Sequence, residues 1–109
     1  TVLVADSHNA RIARFESDGT PLEAWAVEAW TGLTFFEPYL TVGPDETVYA
    51  SDSVGGMILT FGPEGEPGVT LGEGLIRQPF GMAVTNEGGS LLVTDGALHA
   101  VVTVPIPPK

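Results

Sequence analysis

The chain contains no cysteine and few basic residues among its 109 residues. Without cysteine it can form neither disulfide bonds nor thiolate metal sites, and its cellular compartment stays undetermined. Four Lys and Arg residues stand against fourteen Asp and Glu, which gives a formal net charge of −10. Such a chain lacks the positive field that attracts phosphate groups, so we expect no nucleic acid and no membrane surface as a partner.

Long apolar runs and catalytic motifs are also missing. No run approaches the roughly 20 apolar residues that a membrane-spanning helix needs. The sequence has no Gly-x-Ser-x-Gly elbow, no phosphate-binding loop and no His-Glu-x-x-His pair. We therefore expect no cofactor, and the sequence favours a non-catalytic function. The chain starts at Thr1 inside an apolar run, which suggests a processed chain or a piece of something longer.

A repeat organises what is present. Three apolar runs end in an aspartate, at Asp6, Asp52 and Asp95, with separations of 46 and 43 residues. Nine positions after each aspartate stands a bulky apolar residue, and these residues are Phe15, Phe61 and Val104. Matching landmarks at one period indicate a true internal repeat, which must be recognised before the fold is interpreted.

Each repeat is predicted to be a small antiparallel sheet. Short apolar and β-branched runs alternate with clusters of Gly, Pro, Asn and Asp, which is typical of strands joined by tight turns. The central repeat is predicted to hold four strands, at about 39–43, 47–52, 57–61 and 68–71. Four antiparallel strands in a repeat of this length match one blade of a β-propeller.

The segment after Gly19 permits two interpretations. Thr20-Pro-Leu-Glu23 has the form of a helix capping box, and the apolar residues that follow have a helical period. The register of the repeat instead predicts an outer strand over about 22–27, followed by a connector with room for a helical turn. We favour the strand, and the helix remains the alternative.

The repeats resemble those of the NHL family. The stretch from Val4 to Ile12, Val-Ala-Asp-Ser-His-Asn-Ala-Arg-Ile, resembles the core of an NHL repeat, and Pro79-Phe-Gly-Met-Ala-Val84 resembles its opening element. Only the first repeat keeps the Asn-x-Arg signature, as Asn9 and Arg11. The resemblance implies an all-β chain of four-stranded antiparallel blades from a β-propeller, commonly six-bladed.

The length accounts for only part of such a ring. We expect a partial blade over 1–37, a full blade over 38–78 and a partial blade over 79–109, with about ten strands in all. Closed propellers have roughly four to eight blades. The chain is therefore incomplete by itself, and we expect it to associate with copies of itself or to belong to a longer propeller.

The repeated aspartates and two histidines are the candidate chemical groups. Because Asp6, Asp52 and Asp95 each precede a turn, they are expected to accept backbone N–H bonds rather than to ligate metal. Asn9 is expected to hold its turn and Arg11 to pair with a nearby acid. His8 and His99 follow in equivalent loops and could belong to a metal or catalytic group; simple exposure is favoured.

The densest aromatic stretch is the candidate interface. Its members are Trp25, Trp30, Phe35, Phe36 and Tyr39. Burial between blades is the favoured alternative for them. The function expected from all these features is a non-catalytic scaffold that binds protein or a small ligand. Two alternatives stay open, a fragment of a propeller lactonase or lyase with a channel metal and a carbohydrate-binding oligomer.

Overall fold

Turn-bounded apolar runs form the β-strands of the described chain. The computed structural model describes residues 1–33 and 37–108, and in these ranges it has nine strands and two 3-10 helices, Ser7–Asn9 and Glu28–Trp30. The strands are β1 Val2–Asp6, β2 Arg11–Phe15, β3 Pro21–Ala26, β4 Leu40–Val42, β5 Val48–Asp52, β6 Met57–Phe61, β7 Pro79–Val84, β8 Ser90–Asp95 and β9 Ala100–Pro105. Neither 3-10 helix approaches the length needed to span a membrane, and the described residues contain no other helix.

The strands form three separate antiparallel sheets in chain order. The first sheet has the order β1-β2-β3, the second β4-β5-β6 and the third β7-β8-β9. Every neighbouring pair is antiparallel, as short connections require. The all-β prediction is confirmed. The sheets that the structure describes have three strands each, where four had been expected in the central repeat.

The predicted strand at 68–71 is replaced by two isolated bridges, between Ile58 and Leu71 and between Phe61 and Pro67. Pro67 has no N–H to donate to a ladder. The Thr60 hydroxyl donates to the Val69 carbonyl, so a side chain occupies an acceptor that strand pairing would use. The segment lies along β6 but pairs with it only at intervals.

The strand predicted at 22–27 is confirmed as β3. It pairs with β2 through Ile12 and Trp25, and the ladder is extended by a 2.8 Å bond from the Val27 N–H to the Ala10 carbonyl. The 3-10 helix Glu28–Trp30 follows as the expected helical turn. The segment is a strand despite its local helix signals because it forms backbone hydrogen bonds with the free edge of β2.

The repeat is visible in the register of the hairpins. In each one, the residue four positions before the aspartate pairs with the bulky residue nine positions after it. These pairs are Val2 with Phe15, Val48 with Phe61 and Leu91 with Val104. The fourth residue after each aspartate has a positive φ, 50° at Ala10, 71° at Gly56 and 53° at His99. Three different loop sequences thus adopt one turn geometry.

The second sheet is covered on both faces. Val48, Ala50 and Phe61 pack with residues of the first sheet, whereas Tyr49 and Ile58 pack with the third. All five residues of β5 are buried as a result. The core therefore consists of two layers, one on each side of the central sheet.

Ile58→Ala tests this packing. Ile58 is fully buried, and its truncation should lower the free energy of unfolding by about 2–5 kcal/mol through lost burial and an unfilled cavity. Val54→Ala is the control, because Val54 is 72% exposed, and it should change stability by at most about 0.5 kcal/mol. Urea unfolding followed by fluorescence measures both. Equal effects of the two substitutions would contradict the two-layered core.

Candidate functional site

Asp95 fastens the loops at one end of the third sheet. One carboxylate oxygen accepts the backbone N–H groups of Arg77 at 2.7 Å and Gln78 at 3.2 Å. The other accepts those of Ala97 at 3.0 Å and Leu98 at 2.9 Å. The carboxylate therefore joins the segment that enters β7 to the turn that leaves β8, and its lone pairs are committed to structure.

The other two repeated aspartates also bind their own turns. The Asn9 side-chain amide donates to both carboxylate oxygens of Asp6, at 3.1 and 3.0 Å, and the Arg11 Nε donates to one of them at 2.7 Å. Asp52 accepts the Gly55 N–H at 2.8 Å. A Cβ at Gly55 would lie 2.3 Å from an Asp52 oxygen, so the turn needs glycine there. Asp52 thus accepts a backbone N–H of its turn, as expected, whereas Asp6 accepts the side chains of Asn9 and Arg11 instead of the backbone N–H groups expected from the sequence.

Hydrogen bonds lower the pKa of two of these carboxyl groups. The pKa of Asp6 lies below its ordinary value of 3.8, first because of the Asn9 amide and then because of Arg11. For Asp95, burial by itself would raise the pKa, but the four backbone N–H donors outweigh burial and lower the pKa. Both groups are thus held as carboxylates, which are hydrogen-bond acceptors rather than proton donors.

The two histidines lie at different positions of different loops. His8 lies on the surface with its Nε2 3.8 Å from Glu37, whose other oxygen accepts the Ser7 hydroxyl at 2.8 Å. His99 occupies the positive-φ position of the third loop, whereas His8 stands two positions earlier in the first loop. Within residues 1–33 and 37–108, no three His, Asp or Glu side chains are grouped to hold a metal ion.

The aromatic stretch is divided between core and surface. Trp30 is fully buried between the first and second sheets, and its Nε1 donates to the Ser51 carbonyl at 3.0 Å. Trp25 is half-buried, with its ring centroid 5.9 Å from that of Phe61. Tyr39 is 50% exposed. Phe35 and Phe36 lie outside the described residues.

The bulky residues nine positions after each aspartate occupy equivalent positions but are buried to different extents. Phe61 packs between the first and second sheets, and Val104 packs between the second and third. Phe15 holds the same register position on the far side of the first sheet and is only half-buried.

An apolar groove of about 380 Å³ lies between the second sheet and the tail at 106–108. Tyr49, Val69 and Leu71 line one side, and Ile106 and Pro107 line the other. The Ile106 N–H donates to the Gly89 carbonyl at 3.0 Å, which holds the tail in place. The described residues that line the groove carry no charged side chain, and their polar side-chain groups are the hydroxyls of Thr47, Tyr49 and Thr60.

The three sheets stack in one direction. We call a sheet's back face the one that carries the residues two and four positions before the repeated aspartate, and its front face the one that carries those one and three positions before it. The front of the first sheet (Leu3, Ala5) packs on the back of the second (Val48, Ala50). The front of the second, through Tyr49, packs on the back of the third (Leu91, Val93).

The stack leaves one back face and one front face uncovered. The back face of the first sheet presents Val2, 50% exposed, and Val4, 42% exposed, together with the half-buried Phe15. The front face of the third sheet presents Leu92, 43% exposed, and Val101, 66% exposed. Register adds Ala13, Ala24, Ala83, Thr94 and Thr103 to these two faces.

The uncovered faces carry almost no charge although the chain is strongly acidic. On the back face, register places only Asp6 and Arg11, which pair with each other. On the front face, β8 and β9 place Leu, Val, Thr, Ser and Pro residues. The acidic residues are concentrated in the turns and connectors, for example Asp45 and Glu46 between β4 and β5, or Glu64 after β6. Association through these faces would therefore bring few carboxylates together.

Sequence reasoning overlooked several of these features. It predicted an incomplete ring but did not identify the residues of the uncovered faces, which depend on register. It also did not single out the partly buried ion pair of Arg14 with Glu23 across β2 and β3. Arg14 lies in β2 and Glu23 in β3, so the prediction of β3 as a strand next to β2 is the sequence observation that could have revealed the pair.

A scan of the chain against protein-family models finds no match, and a search of curated proteins finds none with significant similarity.

Asp95→Asn tests the fastening role of the repeated aspartate. An amide offers one acceptor oxygen in place of two, so two of the four backbone N–H groups lose their partner at a cost of about 1–3 kcal/mol each at most. Asp45→Asn is the control, because the Asp45 oxygen that accepts the Thr47 N–H can be replaced by the amide oxygen. Chemical unfolding measures both variants. A loss for Asp95→Asn no larger than the control's would refute the role.

Acid should remove the same contribution. Because the pKa of Asp95 is lower in the folded chain than its ordinary 3.8, its ionisation stabilises the fold above that value, and the stability is lost as pH falls through the folded-state pKa. The difference in unfolding free energy between wild type and Asp95→Asn should therefore become smaller as the pH falls from about 6 to about 2. A pH series of urea unfolding curves measures it, and a constant gap would argue against a carboxylate contribution.

Proposed function

We propose that this chain is a non-catalytic binding scaffold, an NHL-type β-propeller segment whose two end faces are covered by further sheets of the same kind. The covering sheets belong either to a second copy or to the rest of a longer propeller. The single observation that carries the proposal is the one-directional stack, in which the central sheet is covered on both faces and the outer two on one each.

The repeated register supports a modular design. Each hairpin has the same aspartate position, the same pairing and the same positive-φ turn residue, so a further sheet of this kind would present the same faces. A single small sheet cannot bury both its faces, which is why such repeats are stable only when stacked. The NHL resemblance of the first repeat, with Asn9 and Arg11, agrees with this arrangement.

The chemistry of the described side chains favours binding over catalysis. The repeated aspartates are engaged in fastening loops, and the two histidines lie in positions that are not equivalent. No observation favours a lactonase, a lyase or a carbohydrate-binding oligomer over the scaffold. The net charge of −10 directs the proposed partners toward protein or a small ligand rather than nucleic acid or a membrane surface.

Solution mass and melting together test the scaffold. Covered end faces should give either a discrete multiple of 11.4 kDa that melts cooperatively or, if a longer propeller supplies the cover, a monomer without cooperative melting. Sedimentation equilibrium and calorimetry on the full chain measure both. A monomer that melts cooperatively would overturn the proposal, because its end faces would then need no cover.

A further inference from the structure

We propose that two copies of this chain associate head to tail, with the back face of one copy's first sheet on the front face of the other copy's third sheet. The inference rests on the proposed function. Of the two proposed ways to cover the end faces, a second copy or the rest of a longer propeller, it selects the second copy. It also specifies the geometry, since the same two faces could in principle pair back to back or front to front.

The two junctions within the chain show how these sheets pack. Both place a front face on a back face, through the same register positions relative to the aspartate. Leu3 contributes from the front of the first sheet to the cluster that holds Ala50 on the back of the second. By register, Leu92 is the equivalent of Leu3, and Val4 is the equivalent of Ala50. Contact between Leu92 and Val4 of two copies would repeat a junction that the chain already makes.

The charge distribution favours a second copy as the occupant. Two chains of net charge −10 repel each other, so a self-association surface must keep carboxylates away from the contact. Each end face does so, because the one carboxylate placed on either by register is Asp6, and Arg11 neutralises it at 2.7 Å. What remains is Val, Leu, Ala, Phe and Thr, and the first four of these residue types also occur in the two internal junctions.

Head-to-tail contact uses two different surfaces on each copy. Such heterologous interfaces generate a closed ring when the rotation closes and an open filament when it does not. Two copies of a three-sheet chain hold six sheets, a number within the roughly four to eight blades of closed propellers. Closure would cover every end face, whereas back-to-back pairing of two copies would leave both front faces exposed.

Two charge substitutions and their mixture provide the test. Val4→Lys places a cation on the back face, and Leu92→Glu places an anion on the front face; both sites are exposed in the single chain, at 42% and 43%. Each variant alone should lose association, since every junction would then contain one buried charge. Val54→Lys, in a turn outside both faces, is the control and should associate as wild type does.

Mixing the two variants should restore association. One junction of the mixed pair joins two unsubstituted faces, and the other places Lys against Glu. Sedimentation velocity should therefore show a mixed species of wild-type size at concentrations where each variant alone is monomeric. Val2→Lys with Val101→Glu, at positions 50% and 66% exposed, provides a second pair in case either first variant fails to fold as judged by circular dichroism.

The other outcomes overturn the inference in distinguishable ways. If one single variant associates as wild type does, the pairing is back to back or front to front, and only the head-to-tail geometry fails. A wild-type monomer without cooperative melting also removes the head-to-tail pair and leaves the scaffold supported by a longer propeller. A cooperatively melting wild-type monomer removes both proposals.

Discussion

The rest of the structure depends on the need to cover both faces of small three-stranded sheets. Burial of apolar surface is the dominant favourable term in folding, and a sheet this small has little interior of its own. The central sheet has a neighbouring sheet on each face, and its β5 is buried at every residue. In β8 of the third sheet, Leu91 and Val93 are buried, whereas Leu92 and Thr94 are exposed. Burial alternates along β8 because the third sheet has one neighbouring sheet, and it does not alternate along β5 because the second sheet has two.

Polar contacts then fix the ends of the sheets that apolar packing alone would leave loose. Hydrophobic contact has no direction, so it cannot by itself determine where a strand stops or how its loop turns. Asp95 supplies direction by accepting four backbone N–H groups from two segments. The Trp30 indole also makes a directional contact, because its N–H donates to the Ser51 carbonyl between the first and second sheets. All three repeated aspartates bind groups of the turn that follows them, although Asp95 alone is seen to join two segments in this way.

The features that local sequence determines were predictable, and those that depend on distant contacts were not. The aspartate positions and the pairing nine residues later follow from a hairpin of fixed length, so the repeat revealed them. The strand at β3 was predicted from register although local signals favoured a helix. The segment at 68–71 makes one isolated bridge, between Ile58 and Leu71, and at Val69 the carbonyl accepts the Thr60 side chain. The burial of Trp30 depends on a partner 21 residues away, which periodicity does not reveal.

The direction of the stack has a consequence that composition alone does not reveal. When every junction joins a front to a back, each added sheet covers one face and exposes another of the same kind, so no open stack covers its own ends. Val4 and Leu92 mark the two ends in this chain, and both sit on surfaces almost free of charge in a molecule that is otherwise strongly acidic. Most carboxylates lie in turns and connectors, and Glu23, which lies within the first sheet, is paired with Arg14. The two uncovered faces present Val and Leu side chains, and the one carboxylate that register places on them, Asp6, is neutralised by Arg11, which is why we propose sheet-on-sheet contact for them.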